Sequence, residues 1–285
     1  MRGSRFRRIF RGVYVDSAAP PHPRQRVEAA LVPFGGTEGG AVASHASAAR
    51  VVGVPLPVCP DEHVTVSRPA QRRVRAGIRC HVDAGMRSVR HDGVPISEYH
   101  RMFVELAELL MLVDLVVVGD NLVRRGLVTE ESLRAAASTS RLPGARRAAE
   151  AAAYVRARVD SPMESRLRML LVLAGLPDPE VNRLIRSADG EPLRRYDLSW
   201  PAVRVVVEYD GRHHIDRVEQ WEDDLDRREA IDDDGWRILV VTARGIYREP
   251  GRTVLRVWRV LHRRGQVGVP PRPGEDWRPH FPGRT

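Results

Sequence analysis

The side chains best suited to chemistry lie between Tyr196 and His214: Asp197, then Glu208 and Asp210, followed at once by Gly211, His213 and His214. Carboxylates without adjacent thiolates suit a hard, oxygen-preferring ion such as Mg²⁺ or Mn²⁺. Such an ion lowers the pKa of a bound water and stabilises charge developing on a phosphate, so phosphodiester hydrolysis is the chemistry these residues point to. The bland alternative is a solvated acidic strand end. Val205 to Val207 is a β-branched run leading into these polar residues, which reads as a buried strand with its chemistry at the C-terminal lip.

If Pro201-Ala202 form a two-residue hairpin loop, Trp200 faces Val203 and Asp197 lies opposite Val206. Alternation then puts Asp197 on the face of Val206, Glu208 and Asp210, with Asp197 and Glu208 as diagonal neighbours about 7 Å apart at Cα. A longer loop would move the pairing, and a shift by one residue would separate the faces.

The elements that must hold these residues follow from local signals. Asp160-Ser161-Pro162 breaks the preceding pattern and marks the expected domain boundary, giving a first region 1–159 and a second 160–265. Ser161-Pro162-Met163-Glu164 opens a helix as a capping box, which gives Glu164 a local role at the Ser161 amide. Leu167, Leu170, Leu171 and Ala174 form its buried face, while Glu164 and Arg168 share another side. Beyond the hairpin, Val218 to Ile231 reads as a helix, Gly235 to Val241 as a strand joined by a right-handed crossover, and Thr253 to Arg263 as a closing helix. Residues 266–285, rich in proline and glycine, are expected to be disordered.

In the first region, Arg7 to Val15 suggests two short strands or a bend, and Arg24 to Val32 a helix. Gly35 to Gly40 reads as a loop, and Ser44 to Val52 as a helix stopped at Gly53. His63 to Val66 and Gly77 to Val82 look like a β pair. The loop between them carries Arg68, Arg72, Arg73 and Arg75, either a solvated turn or a phosphate contact. Ser97 to Val118 repeats apolar residues at helical spacing; further helices start near Thr129 and run from Gly144 to Val159. His45, on an alanine-rich helix, reads as a structural histidine.

A chain of 285 residues can bury one large core or two ordinary ones. A formal charge of +9 favours a polyanionic partner. All 46 basic residues are arginine, which excludes Schiff-base and P-loop chemistry, since both need a lysine amine. Cys59 and Cys80 are too few for a thiolate zinc site or a disulfide framework, and a reduced cytoplasm fits. The arginine-rich start lacks the apolar core of a signal peptide, and the longest apolar stretch, Leu109 to Gly119, is too short to span a bilayer. A soluble chain without membrane contact is expected.

The order helix, hairpin bearing Asp then Glu-x-Asp, helix, strand resembles the PD-(D/E)XK nuclease superfamily. More narrowly it is similar to very-short-patch-repair-like endonucleases whose signature is Glu-x-Asp-Gly-x-x-His, Asp-x-x-Arg and Gly-Trp-Arg. Here these are Glu208, Asp210, Gly211 and His214, then Asp224 and Arg227, then Gly235, Trp236 and Arg237. The resemblance implies a restriction-endonuclease-like mixed α/β sheet flanked by helices, behind an N-terminal α+β domain. It implies Asp197 and Glu208 as ligands of Mg²⁺ or Mn²⁺, joined by Asp210, with Glu164 as the acidic residue of the first helix. It also implies His213 or His214 as general base or phosphate donor. Where the superfamily commonly has lysine this chain has Asp210, so Arg212, Arg168 or a histidine must supply positive charge. Arg168, Arg212, Arg72 and Arg73 are the expected nucleic-acid contacts, and DNA the expected partner.

The first region resembles, through Arg11-Gly12-Val13-Tyr14 and Ser44-His45-Ala46-Ser47-Ala48-Ala49 with Gly53, the amino-terminal part of abortive-infection type IV antitoxin-like proteins. There a helix-turn-helix precedes the Arg-Gly-Val-Tyr wing; this sequence begins at the wing, so the module is expected to be truncated or to start upstream. That resemblance would bring a toxin partner. Two functions are therefore expected in competition: a divalent-metal-dependent DNA endonuclease or nickase, and an antitoxin-like DNA-binding regulator on a degenerate nuclease scaffold.

Overall fold

In a computed structural model the described residues are 5–186, 192–211 and 235–283. They form a mixed α/β protein with three sheets and nine helices among these residues, divided into units 1–155 and 156–285. The division falls close to the break expected at Asp160-Ser161-Pro162. No helix of the described residues is long and apolar enough to cross a membrane.

The first unit opens with a hairpin, β1 (Phe6–Phe10) and β2 (Val13–Asp16), turning at Gly12 with φ +76, the left-handed region glycine adopts without penalty. Helix α1 (Pro23–Leu31) follows, then β3 (Val42–Ala43) and α2 (His45–Val52), with Ser44 at the N-cap position and Gly53 closing in the left-handed region. Strands β4 (Glu62–Val66), β5 (Ile78–Val82), β6 (Ser88–His91) and β7 (Val94–Ser97) complete a five-stranded sheet in the order β5-β4-β3-β7-β6. The expected β pair is present, and its strands run parallel.

The helical periodicity of Ser97 to Val118 resolves into the end of β7 and two helices, α3 (Tyr99–Leu106) and α4 (Leu112–Arg124). The break is stabilised from outside: the Arg147 guanidinium donates to the carbonyls of Ala107 (2.8 Å) and Leu110 (3.3 Å). Those acceptors would otherwise be orphaned where the ladder stops. Arg147 belongs to α6 (Ala145–Tyr154), which follows α5 (Glu130–Thr139), capped by Thr129 as expected. Here α6 ends at Tyr154, short of Val159.

In the second unit α7 (Pro162–Leu173) starts at the Ser161 cap, with Pro162 in its first turn. Strands β8 (Glu180–Arg186), β9 (Pro192–Trp200) and β10 (Val205–Asp210) are successively antiparallel, and β11 (Arg237–Thr242) runs parallel to β10. The sheet order is β11-β10-β9-β8. Val205, Val206 and Val207 are fully buried, so this segment of β10 is covered on both faces, as its unbroken β-branched run requires. Helices α8 (Ala243–Tyr247) and α9 (Pro250–Arg263) follow, and α7 packs against β9, β10, α8 and α9. The expected helix 218–231 lies outside the described residues.

The expectation of a disordered tail is overturned. Within 266–283 Trp277 is 7% and Phe281 2% exposed, the Trp258 indole donates to the Pro270 carbonyl (2.9 Å), and the Gly274 amide donates to the Ala174 carbonyl (2.9 Å). Proline and glycine here shape irregular turns, and the two aromatic side chains supply the burial that composition alone did not reveal. Phe281→Ala is expected to cost about 3–5 kcal/mol of unfolding free energy, read from urea denaturation, as for other buried aromatics cut to alanine.

Candidate functional site

The strand pair that carries the carboxylates is held by a longer turn than expected. Pro201–Val203 form a 3₁₀ turn and Arg204 sits at φ +50, so Val205 pairs with Trp200, Val206 with Ser199 and Val207 with Leu198. The hairpin count above, which set Asp197 opposite Val206, is therefore displaced by two residues. An even displacement preserves the parity of faces, which a shift by one would have reversed.

The paired ladder stops at Val207 and Leu198, immediately before the two acidic residues. Beyond that point Asp197 replaces the backbone as acceptor: its Oδ2 takes a hydrogen bond from the Tyr209 amide at 2.9 Å. This fixes the Asp197 carboxylate against β10 at the residue following Glu208. Asp197 on β9, and Glu208 and Asp210 where the buried half of β10 gives way to the lip, are each partly exposed. One residue before Asp197 on β9, the buried Tyr196 packs with Val206, Trp236 and Ile238, its ring 5.2 Å from that of Trp236.

Glu164 is 8% exposed, and its carboxylate does not return to the Ser161 amide. The Ser161 hydroxyl accepts from the Glu164 amide (3.2 Å), but the reciprocal half of the box is displaced: Glu164 Oε2 accepts from the Asp160 amide (3.0 Å) and from Asn182 Nδ2 (2.8 Å). Asn182 also donates to the Arg158 carbonyl. Sequence reasoning missed both β8 and this residue. Asn182 is 6% exposed with φ +47, within a strand otherwise in register with β9, and that register places it level with Asp197. A buried non-glycine residue held in the left-handed region costs of order 1–3 kcal/mol and persists only where its surroundings over-determine it. Here the restraint is the bridge to Glu164. Asn182→Ala is expected to destabilise by about 1–3 kcal/mol, and Asn182→Gly by less because glycine releases the strain, as thermal melts of the two variants would show.

Arg168 lies one helical turn beyond Glu164 and is 1% exposed. Expected to touch nucleic acid, it is instead a cation enclosed in the domain. Arg72 and Arg73 are exposed on the loop after β4, as a phosphate contact requires. Arg212, His213, His214, Asp224 and Arg227 lie outside the described residues.

The first unit holds a second constellation. His45 opens α2, His63 lies on β4 and His81 on β5, and one ring nitrogen of each is within 4.8 Å of those of the other two. The expectation of a solitary structural His45 thus gives way to a cluster. Parallel pairing sets His63 beside Arg79 and Thr65 beside His81, so alternation turns His63, Thr65 and His81 to one face. Burial, reinforced by each ring's positive neighbours, holds His45 down at about 2 and His63 at about 4. His81 is lowered by burial and by Arg79 and Arg72. All three are neutral near pH 7. Their spacing in sequence carried no recognisable ligand pattern; only the β4–β5 pairing brings them together.

No family model and no solved structure matches the chain. It is 29% identical over 263 residues to the uncharacterized protein Rv2248 of Mycobacterium tuberculosis (strain ATCC 25618 / H37Rv), covering 92% of this chain and 94% of that protein. The same figures hold for the uncharacterized protein MT2308 of Mycobacterium tuberculosis (strain CDC 1551 / Oshkosh), so the chain is similar along nearly its whole length to proteins whose names assign no activity.

Proposed function

We propose that the second unit is a divalent-metal-dependent DNA endonuclease or nickase of the restriction-endonuclease-like class. The observation that carries this reading is the Asp197 carboxylate anchored on the Tyr209 amide, next to Glu208, where β9 and β10 part. The succession of α7, the β9–β10 hairpin and then β11 parallel to β10 supports it, because it follows the helix, hairpin and later strand on which the resemblance to PD-(D/E)XK enzymes rests.

Asp197, Glu208 and Asp210 would hold Mg²⁺ or Mn²⁺, and carboxylate oxygens are the donors such ions prefer. When bound, the ion would supply an activated water and charge stabilisation at the scissile phosphate. Glu164 positions this end of the sheet through Asn182 and remains the candidate further acid. Enclosed one turn away, the Arg168 guanidinium would contribute the positive charge that Asp210 cannot. His213 or His214 would move the proton. Arg72, Arg73 and Arg212 would hold DNA by its phosphates, contacts that position the duplex without reading bases.

Purified full-length protein incubated with supercoiled plasmid and Mg²⁺ or Mn²⁺ tests this. Nicked circles that disappear with EDTA and with Asp197→Ala are expected; nicking no greater than that of Asp197→Ala sinks the catalytic reading.

One observation favours the regulator as a second reading. The β1–β2 hairpin presents exposed Arg5, Arg7, Arg8 and Arg11, a basic wing suited to phosphates. Under that reading a gel shift on the protein's own promoter DNA persists in EDTA and in Glu208→Gln, and weakens steeply with salt.

A further inference from the structure

The three histidines of the first unit belong to neither reading. We propose that His45, His63 and His81 bind one divalent transition-metal ion of the zinc class, with the fourth coordination position open to the adjoining cavity.

Imidazole nitrogen is a favoured donor for zinc and its neighbours in the series, and three imidazoles with one open position is a familiar zinc arrangement. Zinc bonds of about 2.0–2.1 Å in tetrahedral geometry hold their nitrogens roughly 3.3–3.4 Å apart. His63 Nδ1 and His81 Nε2 already lie 3.0 Å apart. Their rings are within 14° of parallel and their centroids 5.2 Å apart, an edge-to-edge pair sharing one proton. An ion between those nitrogens replaces that hydrogen bond, the proton moving to the other nitrogen of the donor ring. His45 stands over the pair, 4.1 Å from His81 between centroids, and completes the set by turning its ring.

Three further observations point to a ligand. Thr65 Oγ1 is buried on the same strand face and has no hydrogen-bond partner among the described residues, although Thr65 lines the cavity beside the cluster. A metal-bound water would satisfy it, and such orphaned hydroxyls are uncommon. His45 is held at φ +49 while 3% exposed, a strained backbone at the one residue that α2 contributes. The His45 backbone is pinned as well, its amide donating to Glu105 Oε2 at 3.1 Å, while Ser44 Oγ, 3.1 Å from Nδ1, offers the ring a partner for one nitrogen when the other turns to an ion. Glu105 is itself bonded to Arg101 at 2.7 Å. The cavity, about 460 Å³, is lined by His45, His81, Thr65, Glu108 and Arg101 among others, which gives water access to an open position.

The test uses full-length, EDTA-treated protein carrying Asp197→Ala, so that the carboxylates of the second unit do not compete. Titration with Zn²⁺ by calorimetry is expected to show one equivalent bound at micromolar concentrations or below. Co²⁺ as a probe is expected to give the visible absorption of a tetrahedral nitrogen and oxygen site. His81→Gln, at a half-buried position on the edge strand β5, is expected to weaken Zn²⁺ binding at least about a hundredfold with the far-ultraviolet dichroism unchanged. Absence of Zn²⁺ binding, or equal binding by His81→Gln, overturns the proposal. If His81→Gln does not fold, the Co²⁺ spectrum of the parent decides, and its absence overturns the site. Plasmid nicking with Mg²⁺ is read separately, so failure here leaves the nuclease reading to its own assay.

Discussion

Glu208→Gln is expected to lower Mg²⁺-dependent plasmid nicking by about a thousandfold, equivalent to about 4 kcal/mol of transition-state stabilisation. The substitution keeps the size of the side chain and removes its charge. Val205 to Val207, which seat the strand in the core, are untouched. The loss should therefore appear in turnover with the melting temperature nearly constant. Asp197→Asn is expected to act as strongly in turnover, and its amide oxygen can still accept from the Tyr209 amide. Glu164→Gln separates two roles. An amide oxygen still accepts from Asp160 and Asn182, so the fold should hold; a fall of about 10–100-fold in nicking would mark a contribution to catalysis beyond the cap. If Glu208→Gln cleaves as well as the parent under either metal, the carboxylates are not the catalytic centre.

A comparably large effect on stability is expected in the first unit. The Glu62 side chain is fully buried at the start of β4, where it accepts from Arg26 Nε (3.1 Å), from Arg50 and from the Ser47 hydroxyl. Ser47 Oγ in turn accepts from the His63 amide at 2.8 Å. Removing one partner of a buried ion pair costs about 3–5 kcal/mol where the groups left behind cannot regain water. Arg26 is nearly half exposed and can turn outward; Arg50, 23% exposed, is more confined. Glu62→Ala is therefore expected to fall in that range by urea denaturation, and Glu62→Gln to cost less because its oxygen still accepts from Ser47. A loss below about 1 kcal/mol for Glu62→Ala would mean that the buried cluster contributes no net stability. Since the Ser47 link reaches His63, the alanine variant should also weaken any Zn²⁺ binding at the histidine cluster.

Much of the architecture was legible because its signals are local. Ser44 and Gly53 bracket α2, Ser161 and Pro162 start α7, Thr129 caps α5, and the valine run of β10 announces a strand buried on both faces. The placement of Asp197 against β10 was legible only in outline. Parity follows from alternation along each strand, but the register follows from the length of the turn, and Arg204 in the left-handed region lengthened it.

What the sequence by itself determined is the kind of chemistry available and the positions of most elements: hard carboxylate donors at a strand end, no lysine amine, and a strong positive charge. Tertiary structure alone decided which side chains meet. The Arg147 bonds that stabilise the break between α3 and α4, the anchoring of the tail by Trp277 and Phe281, the bridge from Asn182 to Glu164 and the meeting of three histidines all join residues far apart in sequence. Caps, turns and alternation act over a few residues and can be read from neighbours. Contacts closed by strand pairing and burial depend on the whole chain, so no local pattern encodes them.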